Sequence, residues 1–486
     1  MATRAHLMDR RVDWATAADC RILAPPVDLR KDAVPRLIRT LALPASIGML
    51  FSTLLAVTDT WYAGMLSPTA LAALSLAGPV FFLVMTLGIG IGQATNALVG
   101  NRLGADEPGV ARRLAMQSIA FAVLVSLSGA FIAFLATPWL FATMGGEAPY
   151  LEPATAYMSV VLLGTAFFAL ALVVNAILNT RGDTTSYRNA QIVAFVANLG
   201  LDPLFMFVLD LGVVGVAVAT ILVQGGVVAW LLFKALRLDF MAHPRLAEFV
   251  PHLPCWRDIA RQSLPTSASM MLVAIGSLII VTFVARFGES AMAAYGIALR
   301  IEQLILLPTI GINIAVLSMT GVNLGAREHD RVREIYRTGV LMALALMAIG
   351  AVVLAVFADQ VMGLFTDDEE VRGIGRVYLY FEAVILPAYA LTFLSAATLQ
   401  GLKRPEIALW FNIVRQVAGQ LVLFWLAVEV LDLGITGIWW SVLAINWLMA
   451  VGIVVVARRL LAKVGEEPPA RRGGLLTPVP EPEVVK

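Results

Sequence analysis

Two aspartates stand inside runs apolar enough to sit in hydrocarbon: Asp59 in LLAVTDTWYAG and Asp202 in VAFVANLGLDPLFMFVL, residues 193–209. A charge at the centre of a membrane helix costs ~2.5–3.5 kcal/mol on insertion scales, so such a residue is retained for a partner or a task. Asn198, four residues before Asp202, shares its helix face. Pro203 removes a backbone donor and pushes off the carbonyl of Leu199, which should bend the helix where the carboxyl sits. Away from water the charged form of a carboxyl is disfavoured, and a second acid nearby strengthens that effect. The chemistry on offer is reversible protonation and, equally, an oxygen-rich sodium site.

The elements that would position these groups follow from composition. The chain has 486 residues, 59% hydrophobic and 14% charged, with mean hydropathy +0.83, far outside ordinary soluble usage. It reads as an all-α polytopic membrane protein. Twelve stretches reach the ~20 apolar residues that a spanning helix needs: about 37–62, 70–97, 114–137, 154–178, 188–209, 213–235, 259–285, 290–318, 337–358, 376–400, 406–429 and 434–457. The first 35 residues lack the basic, apolar, small-residue pattern of a cleaved signal. The tail from about Val464, rich in Pro, Gly and charge, reads as disordered. Cys20 and Cys255 both fall in segments expected in the cytosol, which argues against a disulfide framework.

Of 35 lysines and arginines, 30 fall on one side of these spans. The positive-inside rule then makes both termini cytoplasmic in a multi-pass protein of the inner membrane.

An internal repeat divides the spans. LALPAS at 41–46 matches QSLPTS at 262–267, ALAA at 70–73 matches AMAA at 291–294, and LGA at 103–105 recurs at 324–326, all at an offset of 221. Tyr157 and Tyr378 keep that offset, and DLGVVG at 210–215 meets DLGITG at 432–437 at 222. Six spans per copy put both halves in the membrane with the same orientation, a parallel repeat. The expected division is 1–35, a cytoplasmic extension; 36–235, an N lobe; 236–258, a linker; 259–460, a C lobe; and 461–486, a cytoplasmic tail. Two six-helix bundles around a central cleft is the plan of a transporter.

Each copy is a control for the other. Asp59 faces Ile280 through the offset, Asn198 faces Gly419, Asp202 faces Leu423, and Thr220 faces Val442. Four polar groups are therefore confined to the N lobe, where the shared fold does not require them. Structural readings remain beside the functional ones: Asp202 as the cap of a broken helix, Asp59 at the outer interface beside Trp61 and Tyr62, Pro44 as a plain kink like its match Pro265. Arg300, Glu302, Glu382 and Arg415 also fall inside spans. Arg300 and Glu302, two apart, point to different sides of their helix. Glu382 and Arg415 are candidates to pair with each other or with these, as structural ion pairs or as parts of gating and substrate binding. Gln93, Asn96, Gln224 and Asn313 read as hydrogen-bond glue between helices.

At LALPASIGMLFSTLLAVTDTWYAGMLSPTALAAL, NRLGA, ANLGLDP and AAYGIALRIEQL, the chain resembles the multidrug and toxic compound extrusion family, MATE, and within it the DinF-type prokaryotic branch. The resemblance covers about residues 36–460. It implies a twelve-helix, two-lobed antiporter that exports cationic or amphipathic drugs against inward proton or sodium flow. It also implies cation coupling at Asp59, Asn198, Asp202 and Thr220, a kink at Pro44, and a role in the cleft for Asn175. The chain departs from the NorM-type pattern: Ala274 stands where that branch has a seventh-span glutamate, and Tyr389 where it has a tenth-span aspartate. Coupling through the N lobe remains.

Other classes fit less well. None of the five lysines sits in a GK[ST] phosphate loop, so the chain does not power itself with nucleotide. The four histidines lie outside the spans without a metal-ligand or nucleophile motif, which speaks against an enzyme. The runner-up is a flippase or exporter of a lipid-linked or amphipathic metabolite. A pyrophosphate head would call for a strongly cationic cavity, and only Arg300 and Arg415 are intramembrane bases. The expectation is a monomer with small-molecule substrates, lipid around it, no nucleic acid, no cofactor, and a proton or sodium ion as the coupling ion.

Overall fold

The computed structural model describes residues 27–145, 149–242 and 246–465; Cys20, most of the N-terminal extension and the tail from residue 466 lie outside them. Among the described residues the regular structure is helical. The N lobe comprises α1 (Val34–Leu66), α2 (Pro68–Gly104), α3 (Pro108–Gly145), α4 (Leu151–Leu163), α5 (Thr165–Asn179), α6 (Thr185–Pro203) and α7 (Gly212–Leu236). The C lobe comprises α8 (Leu253–Val284), α9 (Glu289–Gly325), α10 (His329–Gly363), α11 (Glu369–Gly401), α12 (Pro405–Ile413), α13 (Gly419–Trp425) and α14 (Gly434–Lys463). Among the described residues eleven helices are long and apolar enough to span a membrane, and the bent pair α4 and α5, counted as one span, makes twelve. That fourth span, expected as one helix over 154–178, turns by 43° at Gly164. Helix starts follow local chemistry: Ser67 accepts the amide of Ala70 at 3.0 Å, and Asp368 accepts those of Glu370 and Val371.

The repeat is visible in the backbone. Left-handed residues fall in matched turns: Asp106 and Arg327, Gly182 and Lys403, Asp210 and Asp432, Gly212 and Gly434. The lobes meet along α1 with α9, α2 with α8, and α2 with α9. The contacts obey the same symmetry. A β-carbon on Gly104 would collide with the carbonyl of Val322, and one on Gly325 with that of Asn101. Gly90 lies against Ser263 and Ser267, while Gly311 lies against their counterparts Ala42 and Ser46. Polar contacts across this seam are Ser46 Oγ to the Pro308 carbonyl (3.3 Å), Asn96 Nδ2 to Ser318 Oγ (2.8 Å), and Lys403 Nζ to Asn101 Oδ1. All lie in the halves of these helices nearest the Lys- and Arg-rich loops, so the two lobes are pinned together at that basic face.

Two straps reinforce the seam by crossing it. The segment before α1 offers the Leu29 carbonyl to Asn323 Nδ2 (3.0 Å) and Arg331 of the C lobe. The segment before α8 offers the carbonyls of Glu248 and Val250 to Gln117 Nε2 of the N lobe, at 2.6 and 2.8 Å.

Candidate functional site

In the N lobe, α1, α6 and α7 bring the four predicted residues together. Asn198 Nδ2 donates to Asp59 Oδ1 at 2.7 Å and to Asp202 Oδ2 at 2.6 Å. Thr220 Oγ1 donates to Asp59 Oδ2 at 3.0 Å. All four are buried: Asp59 is 7% exposed, Asn198 and Asp202 0%, Thr220 4%. One amide nitrogen thus bridges two carboxyls, with no basic side chain among their hydrogen-bond partners in the described residues. Asp202 Oδ1 and Asn198 Oδ1 are buried without a hydrogen-bond partner. Asp59 is buried within the protein, seven residues before the end of α1 at Leu66, although Trp61, two residues on, is 58% exposed.

The helix break at Asp202 has the expected cause and an unexpected remedy. Regular α-helix ends at Pro203, and a π-helical turn, Leu204–Val208, follows. The Leu199 carbonyl, which Pro203 cannot bond, accepts the Tyr62 hydroxyl at 2.9 Å. Sequence reasoning missed Tyr62 in this role; the signal was a tyrosine on α1 three residues past an intramembrane acid. It also used Tyr157 only as a repeat marker, whereas Tyr157 lies close enough to feel the charges of Asp59 and Asp202.

The other candidates are elsewhere. Pro44 lies inside α1 and is buried. Asn175, on α5, is 9% exposed with Oδ1 unpartnered. Arg300 is exposed. Glu302 Oε2 receives a long bond from the Tyr378 hydroxyl, 3.4 Å, and Tyr389 is a second hydrogen-bonding neighbour. Glu382 is fully buried and neither carboxyl oxygen has a partner.

The ion pair considered for Glu382 and Arg415 is not formed. Arg415 instead reaches Asn446 Oδ1 (3.0 Å) and Asn412 Oδ1 (3.2 Å), and its guanidinium lies 5.9 Å from the Tyr389 ring centre. A π-helical turn, Val414–Ala418, aims it at these amides. Glu302 lies near enough to Arg415 to feel its charge, and Glu382 lies near enough to Glu302 to feel that one. Of the glue residues, Asn96 joins the lobes and Asn313 Nδ2 donates to the Phe393 carbonyl at 3.0 Å. Gln93 Oε1 is unpartnered.

Oxygens of Asp59, Asp202, Asn198 and Thr220 are of the hard type that sodium takes, and the Asn198 amide presents its nitrogen to both acids. Among the described residues, no group of three or more His, Cys, Asp or Glu side chains is placed to hold a metal ion.

Comparison with known proteins agrees with this architecture. The MatE family model matches residues 44–204 and again 265–425, both ends 221 apart. An FAD transporter of Shewanella oneidensis is 26% identical over 450 residues, 89% of this chain and 96% of that protein. A probable multidrug resistance protein NorM of Thermotoga maritima is 24% identical over 432 residues, covering 86% of this chain and 91% of its own length. A solved structure described as the outward-facing conformation of a multidrug resistance MATE family transporter superposes with TM-score 0.84 at 27% identity, over 91% of this chain and 99% of that one. Matched once in each lobe by the same family model, and alike in fold to a solved transporter across nine-tenths of its length, the chain belongs to the multidrug and toxic compound extrusion family and is a membrane transporter, not an enzyme.

Proposed function

We propose that the protein is an antiporter of the inner membrane that exports cationic or amphipathic drugs and other toxic compounds in exchange for protons, and that Asp59 and Asp202 carry the coupling. The observation behind this reading is the single amide nitrogen shared by two buried carboxyls. Two carboxylates held that close out of water repel each other. With no basic side chain among their partners, the charge that relieves them must come and go: a proton, or the positive charge of a substrate.

With the basic face and both termini in the cytoplasm, pinning at that face leaves the cleft open outward. A proton entering from outside binds the Asp59 and Asp202 pair and weakens its hold on a cation, so the drug leaves. A proton drives release only because it binds the releasing state better. Neutralising Asp59 also frees Thr220 and Asn198 to turn, and α1, which carries both Asp59 and Pro44, bends in response. Sodium would need the Asn198 amide turned to present Oδ1 between the acids, which makes the proton the favoured ion.

The Shewanella relative gives a second reading, export of an amphipathic metabolite such as a dinucleotide. An anionic cargo of that kind would call on Arg300, exposed on α9.

The test uses proteoliposomes loaded with a fluorescent cationic drug, with a pH gradient and a sodium gradient imposed separately, for the wild type and Asp202→Asn. Transport driven by the pH gradient alone and lost in the variant is the expected result. Sodium-driven transport would move the coupling ion to sodium at the same four residues. Gradient-driven transport that survives in Asp202→Asn would refute the mechanism, and flavin dinucleotide moving in place of the cation would favour the second reading.

A further inference from the structure

We infer that the C lobe carries a binding site for one anionic phospholipid, on its outer surface where α10, α11 and α14 meet near the basic face. These helices enclose a cavity of about 700 Å³, within the range of roughly 300–1,000 Å³ typical of small-ligand pockets. Its lining is divided by depth. Arg333, Arg337 and Arg458 stand at the end near the basic face beside Leu461 and Ala462, while Leu341, Leu344 and Leu391 line the deeper part. Leu344 lies about 10 Å deeper along α10 than Arg337, at ~1.5 Å per residue. Leu341 is 57% exposed, so the apolar end opens sideways into hydrocarbon. A ligand that satisfies both ends has a negative head and an apolar tail, and basic pockets between membrane helices at head-group level suit such lipids.

The repeat shows that this surface is not simply what the fold leaves over. Arg112 on α3 is the counterpart of Arg333, and it is held by Glu248 of the linker at 2.6 Å. Phe240 and Met241 of the same linker are buried in the N-lobe core, 5% and 1% exposed. The N lobe therefore covers its own version of the groove with an acid on the arginine and apolar side chains beneath it. In the C lobe Arg333 bonds Asp330 at 2.6 Å and the carbonyls of Leu461 and Val464 at 3.0 and 2.9 Å. Arg337 and Arg458 are exposed and, among the described residues, have no acidic partner. A phospholipid head supplies to Arg337 and Arg458 the kind of negative charge that Glu248 supplies to Arg112, and its acyl chain lies along Leu341, Leu344 and Leu391.

Native mass spectrometry of the full-length chain in neutral detergent, titrated with phosphatidylglycerol, reads the site directly. One tightly held lipid per chain is expected, with phosphatidylcholine of the same chains held weakly. In Arg337→Gln/Arg458→Gln the affinity should fall about 30-fold, two charges at roughly a factor of five each. Arg39→Gln, at the same face of the other lobe, should leave it unchanged. Leu344→Trp, which fills the apolar end without touching charge, should also weaken binding. Equal affinity in the double-arginine variant and the wild type would overturn the assignment. So would displacement by inorganic phosphate, which would make this a site for a free anion. Binding that emerges only after removal of residues 466–486 would mean that the chain's own tail, not lipid, is the occupant.

Discussion

The two lobes are copies of one fold, yet each carries its buried acids where the other has none. Asp59, Asn198, Asp202 and Thr220 face Ile280, Gly419, Leu423 and Val442, while Glu302, Glu382 and Arg415 face Phe81, Val161 and Ala194. The clusters also differ in kind. In the N lobe two carboxyls share neutral donors; in the C lobe a buried guanidinium stands near Glu302, which in turn stands near Glu382. A resident cation fixes the charge of its surroundings, whereas acids with neutral partners leave theirs to be set by what arrives. On the proposed mechanism the N lobe exchanges a positive charge, whereas the C lobe holds its own in Arg415.

This contrast breaks most completely at Asp59 and Asp202. Replacing either by Asn should abolish gradient-driven transport in proteoliposomes while leaving the chain folded. The melting temperature in detergent should hold or rise, because a buried carboxyl without a cation becomes a neutral amide. A variant that transports normally, or unfolds, would remove the distinction between the lobes.

Arg415 should behave in the opposite sense. Arg415→Leu takes away a buried positive charge that stands near Glu302, a loss of about 3–5 kcal/mol by analogy with broken buried pairs, read as a lower melting temperature. Adding Glu302→Gln should restore part of the loss, since Glu302 is the acid that feels Arg415. Strict additivity of the two changes would show that they do not act on each other.

How much of this could be read from the sequence depends on what kind of information each feature needs. The fold, the twelve spans and the repeat were legible because apolar length and a fixed offset survive in one dimension. The residues Asp59, Asn198, Asp202 and Thr220 stood out by subtraction of one copy from the other, and Pro203 announced the helix break. The turn at Gly164 was hidden, since an apolar run reads the same whether straight or bent. The partners of Arg415 were hidden too, because Asn446 lies 31 residues away and only the π turn decides which amide the guanidinium meets.

A smaller effect sharpens the comparison at the broken helix. The counterparts of Tyr62 and Pro203 are Phe283 and Phe424, whose rings pack edge to face with centres 5.4 Å apart. The hydroxyl occurs in the lobe that has the proline and the orphaned carbonyl, and not in the other. Tyr62→Phe should cost about 1 kcal/mol, the net worth of one hydrogen bond, and reduce transport by loosening the segment that carries Asp202. Phe283→Tyr should stabilise nothing, because the C lobe offers no freed carbonyl there; a gain in melting temperature would contradict this account.

The smallest expected effect lies at the basic face. Gly182 and its counterpart Lys403 both adopt left-handed backbone, φ 79° and 61°, a conformation that suits glycine and costs other residues energy. Lys403 accepts that cost and reaches across the seam to Asn101. Burial, with Arg102 adding to it, holds its ammonium down at about 8. Opening the seam returns the group to water and to its ordinary value of 10.5, so the open state binds the proton more tightly. Raising the pH from 8 towards 10.5 therefore removes a penalty carried by the closed seam, and below 8 that penalty is present in full. Spin labels on either side of the seam should report a closed population that grows through this window in the wild type. In Lys403→Met the growth should be absent, with closure already higher at pH 7. A wild-type population that is flat across the window, or falls, would show that Lys403 keeps its burial when the lobes part.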